Sequence, residues 1–221
     1  MTDPLNLSYR FPGDNDLDIP MLAHTPLARV PGWLLPYRQR TEDPALVREA
    51  GLHFFLSDYR FEAVWNRPQQ TLTALRPYRA LLTPDFSLYR DWPLVAQMWN
   101  VYRSRWCGAY WQAQGLTVIP SISWSTAASY DFCFLGLPRR SVVAVATVGL
   151  RDEEARLLFL AGFREMVRRL SPSLVLCYGR IPSQCHDLAE VLCYPTRWQS
   201  IRQGRAWAAR RQGTVSGEPH R

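Results

Sequence analysis

The sequence contains no lysine, and all 26 of its basic residues are arginine. A chain without lysine cannot form a Schiff base with a carbonyl substrate through a lysine amine. It also has no lysine to hold the phosphates of a Walker-type loop. The bias toward arginine is what a GC-rich coding sequence produces, so it excludes two classes of site without indicating a function.

Long apolar segments are missing as well. No run approaches the roughly 20 apolar residues that cross a bilayer. Residues 1–36 are interrupted repeatedly by proline and aspartate, unlike the basic and then apolar pattern of a secretion signal. We therefore expect a cytoplasmic protein that has no membrane partner.

Paired cysteine motifs are absent. The chain has five cysteines, an odd number, and no C-x2-C pair; they are Cys107, Cys133, Cys177, Cys185 and Cys193. Without an export signal, this number indicates reduced thiols rather than a disulfide framework. Cys185 and His186 stand between two further cysteines, but the spacing does not match a zinc knuckle. We expect buried or incidental thiols.

A serine nucleophile is also unsupported. The chain has no G-x-S-x-G segment, and its four histidines are at positions 24, 53, 186 and 220. Only His53 lies in the expected core, where we place it before the first strand and so at the end of the sheet opposite a ligand. A Ser–His–Asp mechanism is therefore not expected.

The net charge of +7 is concentrated near the C-terminus. Residues 195–221 contain six arginines and one glutamate, which gives +5. Residues 1–194 contain 20 arginines and 18 acidic residues, which gives +2. A basic tail is a weak electrostatic signal for polyanions, so the charge points to the tail rather than to the body of the protein.

Five short apolar runs are the most informative positive feature. They cover residues 52–56, 80–82, 118–122, 142–146 and 174–177, and polar residues follow each of them. Apolar runs of this length that alternate with helical periodicity indicate parallel strands buried on both faces. The sequence predicts an α/β fold with a mainly parallel sheet of about five strands and flanking helices. We favour an open sheet over an incomplete TIM-like barrel, since a full barrel takes about 250 residues.

Composition divides the chain into three parts. Residues 1–50 hold 7 of the 17 prolines and are expected to form an extended arm, with a short helix from residue 44. Residues 51–180 form the α/β core. Residues 181–221 are expected to be an Arg-rich tail that has a helix around residues 185–193 and a disordered end.

Two long helices are predicted within the core. One follows Asp152 as its N-cap, and the other runs from Asp91 to about residue 114. In the latter, Arg105 falls inside an apolar stripe that begins at Leu94 and Val95, so it must snorkel, pair with a carboxylate or bind a ligand. We expect Trp111, almost opposite the stripe, to lie outside the core.

Polar clusters follow the predicted strands, where parallel sheets bind ligands. We expect catalytic carboxylates at Asp58, Asp85 and Asp131, and a divalent metal such as Mg²⁺ or Mn²⁺ on Asp58, Glu62 and Asp85. Helix capping and Asx turns are the structural alternatives for these acids. The candidate ligand-binding residues are Arg60, Ser87, Asn100, Arg103, Arg105, Ser123, Trp124 and Ser125.

Four segments carry a resemblance to a known family. They are HFFLSDYRFEAVW, LLTPDFSLYRDWPLVAQMWNVYRSRWCGAYWQAQG, VIPSISWSTAASYDFCFLGLP and SVVAVATVG. They resemble the bacterial and phage family described as domain of unknown function 4417 over roughly residues 51–180, leaving the N-terminal arm and the tail outside. The resemblance implies an α/β domain that is often carried on phages, plasmids and other mobile elements. It transfers no catalytic residues.

These observations lead to a functional hypothesis with three alternatives. The protein is expected to bind or process a nucleotide or nucleic acid in a polar pocket, with phosphate on Arg103 and Arg105 and a base on Trp124. The alternatives are a non-enzymatic DNA-binding or replication-associated protein that acts through its tail, an enzyme on a small sugar-like metabolite, and an interaction protein directed at a host factor. The sequence leaves the oligomeric state open.

Overall fold

The structure is a computed structural model that describes residues 3–37, 44–196, 198 and 199. Seven strands occur within these residues, and all of their pairings are parallel. They are β1 (Trp33–Pro36), β2 (Ala50–His53), β3 (Ala80–Leu82), β4 (Val118–Ile119), β5 (Val142–Ala146), β6 (Leu174–Tyr178) and β7 (Val191–Tyr194). The predicted α/β class is therefore confirmed.

Helices connect most of the strands. The α-helices are α1 (Pro44–Glu49), α2 (Ala63–Asn66), α3 (Pro68–Leu75), α4 (Leu94–Ala113), α5 (Tyr130–Cys133) and α6 (Glu153–Leu170). Short 3₁₀ helices add single turns at Leu27–Arg29, Asp58–Arg60, Ala127–Ser129 and Ser183–Cys185. Of the described helices, none is both long and apolar enough to cross a membrane.

The strands lie side by side in chain order. One sheet has the order β1-β2-β3-β4 and the other β5-β6-β7. A parallel bridge between Ser121 and Ala144 joins them, and Ala144 both donates to the carbonyl of Pro120 and accepts from the amide of Ile122 at 2.8 Å. The seven strands thus follow one another around a single curved layer.

This layer curls around one apolar interior. A core cluster draws residues from β3 to β7, among them Leu82, Ile119, Ala144, Leu176 and Tyr194, with Leu34 of β1 packed against it. Within the described residues, no strand pairing connects β7 to β1. The barrel is therefore incomplete. Across this gap, the Tyr194 hydroxyl donates a hydrogen bond to the carbonyl of Pro31 at 2.6 Å.

Four of the five apolar runs each correspond to a strand and the run 52–56 overlaps the end of β2, but the layer has two strands more. Strand β1 lies inside the part expected to be an extended arm. Strand β7 lies where we expected a helix around residues 185–193, and that prediction is wrong. Only the turn Ser183–Cys185 is helical there, because Val191–Tyr194 pairs with β6 in register and tertiary pairing overrides the local spacing.

Helix α6 agrees closely with its prediction. The Asp152 carboxylate caps it by accepting the amide proton of Ala155 at 2.8 Å. Helix α4 starts at Leu94, three residues later than expected, with Pro93 at the N-cap. Its first turn does not continue the predicted apolar stripe, because Leu94 and Val95 are exposed.

Trp111 corrects a second prediction for α4. We expected it outside the core, but its side chain is fully buried and stacks on Phe54 with the ring centroids 5.6 Å apart. The aromatic core on this side of the sheet wraps further around α4 than one stripe suggests.

The N-terminal segment packs closely on the core. Ile19 and Leu22 are buried, and the Leu22 amide donates to the carbonyl of Gly136 at 2.9 Å. The Thr25 amide donates to the hydroxyl of Ser141, just before β5, and the Thr25 hydroxyl donates to the carbonyl of Val118 in β4. This segment therefore covers the amino-terminal ends of the strands and leaves their carboxyl ends to the βα loops.

Candidate functional site

The loops after β3 and β4 and the side of α4 line a narrow cleft whose interior of about 10 Å³ has room for about one water molecule. Its polar lining comes from Asn100, Ser104 and Arg105 on α4 and from Ser121 and Ser123 after β4. The predicted position of a site, past the carboxyl ends of parallel strands, therefore coincides with a cleft in the structure.

Asp85 is the most unusual acid at this cleft. It is half-buried between Pro84 and Phe86, two residues of the cleft lining, and its carboxylate interacts with Ser123. Burial, together with a smaller effect of the charge of Asp58, raises the pKa of Asp85 to about 6, although Ser123 and Arg105 act to lower it. An acid with a pKa near neutrality can both accept and donate a proton at physiological pH.

Arg105 lies at the base of the same cleft and is 2 % exposed. Its guanidinium donates to the carbonyls of Cys133 at 2.8 Å, Ser121 at 3.2 Å and Leu135 at 3.2 Å. Burial lowers its pKa to about 10, so it stays charged at neutral pH. Arg105 was expected to snorkel, pair with a carboxylate or bind a ligand; Asp85 interacts with it electrostatically, but its hydrogen bonds go to three carbonyls and to the hydroxyl of Ser104.

A chain of polar contacts runs along the rim of the cleft. The Asp58 carboxylate accepts from the amide of Ser87 at 3.1 Å and from its hydroxyl at 2.8 Å. The carbonyl of Ser87 accepts from Asn100, whose side-chain oxygen accepts from Arg103 at 2.6 Å. Arg103 then forms an ion pair with Glu62 at 3.0 Å. Five predicted site residues thus join the loops after β2 and β3 to α4.

Arg103 is held on one further side, because its guanidinium carbon lies 3.8 Å from the ring centre of Phe86. The ion pair and the ring contact orient Arg103 within the rim. The Glu62 carboxylate forms its ion pair with Arg103. It was predicted to bind a metal ion together with Asp58 and Asp85, but in the structure it orients the arginine.

Four predicted residues belong neither to the cleft lining nor to the chain of contacts along its rim. Trp124 packs on Phe159 and donates its indole N–H to the carbonyl of Leu158 on α6, so its ring attaches that helix to the strand layer. The Ser125 hydroxyl donates to Gln97 at 2.6 Å in a buried contact. Asp131 and Arg60 are exposed.

A metal site made only of protein ligands is not visible in the described part of the chain. Residues 3–37, 44–196, 198 and 199 contain no group of three or more His, Cys, Asp or Glu side chains placed to hold a metal ion. The two predicted ligands that interact across the loops are Asp58 and Asp85. A Mg²⁺ ion held by one or two carboxylates takes its remaining ligands from water and substrate phosphates.

The position of His53, like that of Trp111, was predicted wrongly. It ends β2 and therefore lies at the carboxyl edge of the layer, because the strand starts at Ala50 and not at residue 52. Its side chain is fully buried, and its ring lies 4.2 Å from that of Tyr178. Burial lowers its pKa to about 3.

The neutral ring of His53 has one N–H group that makes no hydrogen bond with the described residues. Nδ1 accepts the amide proton of Phe55 at 3.2 Å, so the neutral ring carries its proton on Nε2. That nitrogen has no hydrogen-bond partner among the described residues. If this strand had been predicted to start at Ala50 instead of residue 52, His53 would have been placed at the carboxyl end of the strand.

Comparison with known proteins gives two relatives and a family. The profile of the family "Domain of unknown function (DUF4417)" matches residues 11–195. The "Gene 1 protein" of Mycobacterium phage D29 is 46 % identical over 213 residues, which cover 93 % of this chain and 77 % of the phage protein. The "Gene 1 protein" of Mycobacterium phage L5 is 44 % identical over 206 residues, covering 91 % and 88 %. No solved structure matches significantly.

The family match is wider than the four segments suggested. It includes residues 11–50, which we placed outside the resemblance, and it ends just after β7. The match fits the structure, in which β1 and β7 complete the strand layer and the N-terminal segment packs on it.

Proposed function

The chain belongs to the family described as "Domain of unknown function (DUF4417)" and has mycobacteriophage relatives, and from its cleft we propose that it binds and processes a nucleotide or nucleic acid. The observation that carries the proposal is the Asp85 carboxylate, which is half-buried at the cleft and has a pKa of about 6. In this proposal the Asp85 carboxyl group gives or takes a proton when a bond within the nucleotide or nucleic acid is cleaved.

The charges around the cleft support an anionic ligand. Arg105 places a buried positive charge at its base, and Arg103 is fixed at its rim by Glu62 and Asn100. Buried cations in a partly desolvated cleft attract a phosphate more strongly than cations in open water do. Because carbonyls satisfy most of the Arg105 donors, it acts through its field, and Arg103 is the better candidate for direct contact.

Asp58 and Asp85 are the residues proposed to hold a divalent cation. The double hydrogen bond from Ser87 fixes the orientation of the Asp58 carboxylate, and Asp85 interacts with it electrostatically. Mg²⁺ or Mn²⁺ between them would complete its coordination with water and ligand phosphate oxygens. Glu62 is omitted from this set because it pairs with Arg103.

One observation also favours a second function, an enzyme on a neutral sugar-like metabolite. Two interacting carboxylates, one with a raised pKa and one fixed by hydrogen bonds, are typical of glycoside hydrolysis. Such an enzyme would act on uncharged ligands and would not need a divalent cation.

The test is an activity and binding assay on the full chain. Purified protein is incubated with nucleoside phosphates or short single- and double-stranded DNA, with Mg²⁺, Mn²⁺ or EDTA, and the products are separated by chromatography. We expect turnover that Asp85→Asn lowers roughly 10²- to 10⁴-fold, the usual contribution of a positioned acid or base. Asp131→Asn is the matched control, because it makes the same chemical change at an exposed acid of α5.

The other outcomes identify the alternatives. Turnover of neutral glycosides in EDTA that Asp85→Asn abolishes would favour the sugar enzyme. DNA binding that survives Asp85→Asn but disappears when the six arginines of residues 195–221 are changed to glutamine would favour a protein that acts through its tail. The tail beyond residue 199 lies outside the described residues, so this arm tests the sequence prediction directly.

A further inference from the structure

Three thiols lie close together where β6 and β7 pair, away from the cleft. Cys177 and Cys193 are register partners on these two parallel strands. The three thiols interact electrostatically with one another, and the Cys177 thiol donates to the carbonyl of Gly179 at 3.8 Å. Their arrangement is independent of Asp85 and was not indicated by the spacing of the cysteines in the sequence.

The geometry of neighbouring strands suits a bond between the two partners. Adjacent strands lie about 4.7 to 4.9 Å apart, and disulfides join Cα atoms that are about 4.4 to 6.8 Å apart. Side chains at register positions point to the same face, and the two thiols are near enough to interact electrostatically. A disulfide between them therefore needs no change of strand pairing.

The two thiols differ in their access to solvent. Cys193 is exposed, whereas Cys177 is fully buried, and burial raises the pKa of Cys177. An oxidant from solvent can therefore reach Cys193 but not Cys177. Oxidation of cysteine follows thiolate character and exposure, so Cys193 is the thiol that reacts first.

We propose that Cys177 and Cys193 are a modification site that hydrogen peroxide converts to an intramolecular disulfide. The Cys193 thiolate attacks one peroxide oxygen, the O–O bond breaks, and hydroxide leaves, which gives a sulfenic acid on Cys193. The Cys177 sulfur then attacks the Cys193 sulfur, the S–O bond breaks, and the hydroxyl group leaves as water with the Cys177 proton. Two thiols lose two electrons in total, and one peroxide is reduced to two water equivalents.

Metal binding does not explain this cluster. In the part of the chain that the structure describes, no three His, Cys, Asp or Glu side chains are placed to hold a metal ion, the three thiols included. The register pairing and the exposure of only one partner are instead the arrangement of an oxidisable thiol next to a resolving thiol.

The test is peptide mapping of the full chain after treatment with hydrogen peroxide and alkylation of the remaining thiols. We expect a peptide with Cys177 linked to the peptide 181–197, and the link should disappear on reduction. Trypsin cuts after Arg180, so Cys185 and Cys193 share that second peptide. Cys185→Ser should therefore keep the link and Cys193→Ser should abolish it.

Leu192→Ser is the matched control, because it changes the neighbouring exposed position of β7 and keeps both thiols. Cys193 is exposed, so its replacement by serine leaves the core intact. The proposal is overturned if the link survives in Cys193→Ser or is lost in Cys185→Ser. It is equally overturned if Cys193 is oxidised to a sulfinic acid while Cys177 stays reduced, or if the link joins two chains.

Discussion

At the residue scale, Asp85 makes the stability of the protein depend on pH. Folding raises its pKa from an ordinary value of 3.8 to about 6, so the folded chain binds this proton more tightly than the unfolded chain. The free energy of unfolding contributed by this group therefore falls as the pH rises from about 4 to about 6. The contribution is fully present below pH 4 and lost above pH 6.

The matching prediction uses Asp85→Asn, which keeps the shape and removes the charge. Above pH 7 we expect the variant to be more stable than the wild type by about 1 to 3 kcal/mol, since each pKa unit corresponds to about 1.4 kcal/mol. Near pH 4 the two proteins should be equally stable. Urea unfolding at pH 4, 6 and 8 measures this, with Asp131→Asn, the same chemical change at an exposed acid, as the control.

His53 makes the free energy of unfolding rise with pH, which is opposite to the effect of Asp85. The effect of Asp85 is therefore measured as the difference between the wild type and Asp85→Asn, and not from the pH dependence of the wild type alone. Burial lowers its pKa from 6.5 to about 3, and its contribution to stability is lost as the pH falls below about 6.5. A difference between wild type and Asp85→Asn that stays constant from pH 4 to 8 would contradict the environment assigned to Asp85.

The same residues show what a sequence can reveal about this site. Asp85 could be named because a Pro–Asp pair after a strand forms a tight turn, and a turn is a local feature. The burial of Arg105 could be predicted from helical spacing, but its carbonyl partners could not, because Cys133 and Leu135 come from a distant segment. His53 was misplaced because its role depends on where β2 begins.

At the scale of elements, the position of α6 depends on one glycine. A Cβ atom on Gly162 would overlap the indole ring of Trp124, whose N–H donates to Leu158 on the same helix. Alanine in place of a helical glycine usually stabilises a protein by about 1 kcal/mol. Here the ring must move, so we expect Gly162→Ala to lower the free energy of unfolding by about 1 to 3 kcal/mol, as overpacking does.

Chemical unfolding measures this change, and the fluorescence of Trp124 should shift as its ring becomes more exposed. Ala161→Ser is the control, since Ala161 is the exposed neighbour of Gly162 and should change stability little. A stabilised Gly162→Ala variant would show that the ring of Trp124 does not lie against α6.

The elements predicted well are those whose signal is local. The capping acid Asp152 and the spacing of α6 lie within one segment, and the four strands β3 to β6 are continuous apolar runs that are almost entirely buried. Strands β1 and β7 give weaker signals, because β1 carries a proline and β7 has exposed residues at Leu192 and Cys193. Both flank the gap in the layer, and only their pairing with β2 and β6 identifies them.

At the scale of the whole molecule, the curvature of the layer could not be deduced from its strands. The sequence favoured an open sheet because the chain is short for an eight-stranded barrel. The structure instead curls seven strands around one interior, to which Tyr178 and Tyr194 contribute from β6 and β7 and Leu34 from β1. Closure depends on contacts between residues near the two ends of the core, about 160 positions apart, as between Pro31 and Tyr194.

Tyr194→Phe tests whether this single contact holds the gap together. The variant removes the hydroxyl that donates to Pro31 and keeps the ring in the interior. We expect a loss of about 1 kcal/mol in the free energy of unfolding, the usual contribution of one hydrogen bond.

Amide hydrogen exchange should become faster in β1 and β7, whereas β4 and β5 should be unchanged, because their link lies on the far side of the layer. Tyr59→Phe, at a 78 % exposed tyrosine, is the control. Faster exchange in all seven strands would mean that Tyr194 stabilises the whole fold rather than the gap between β7 and β1.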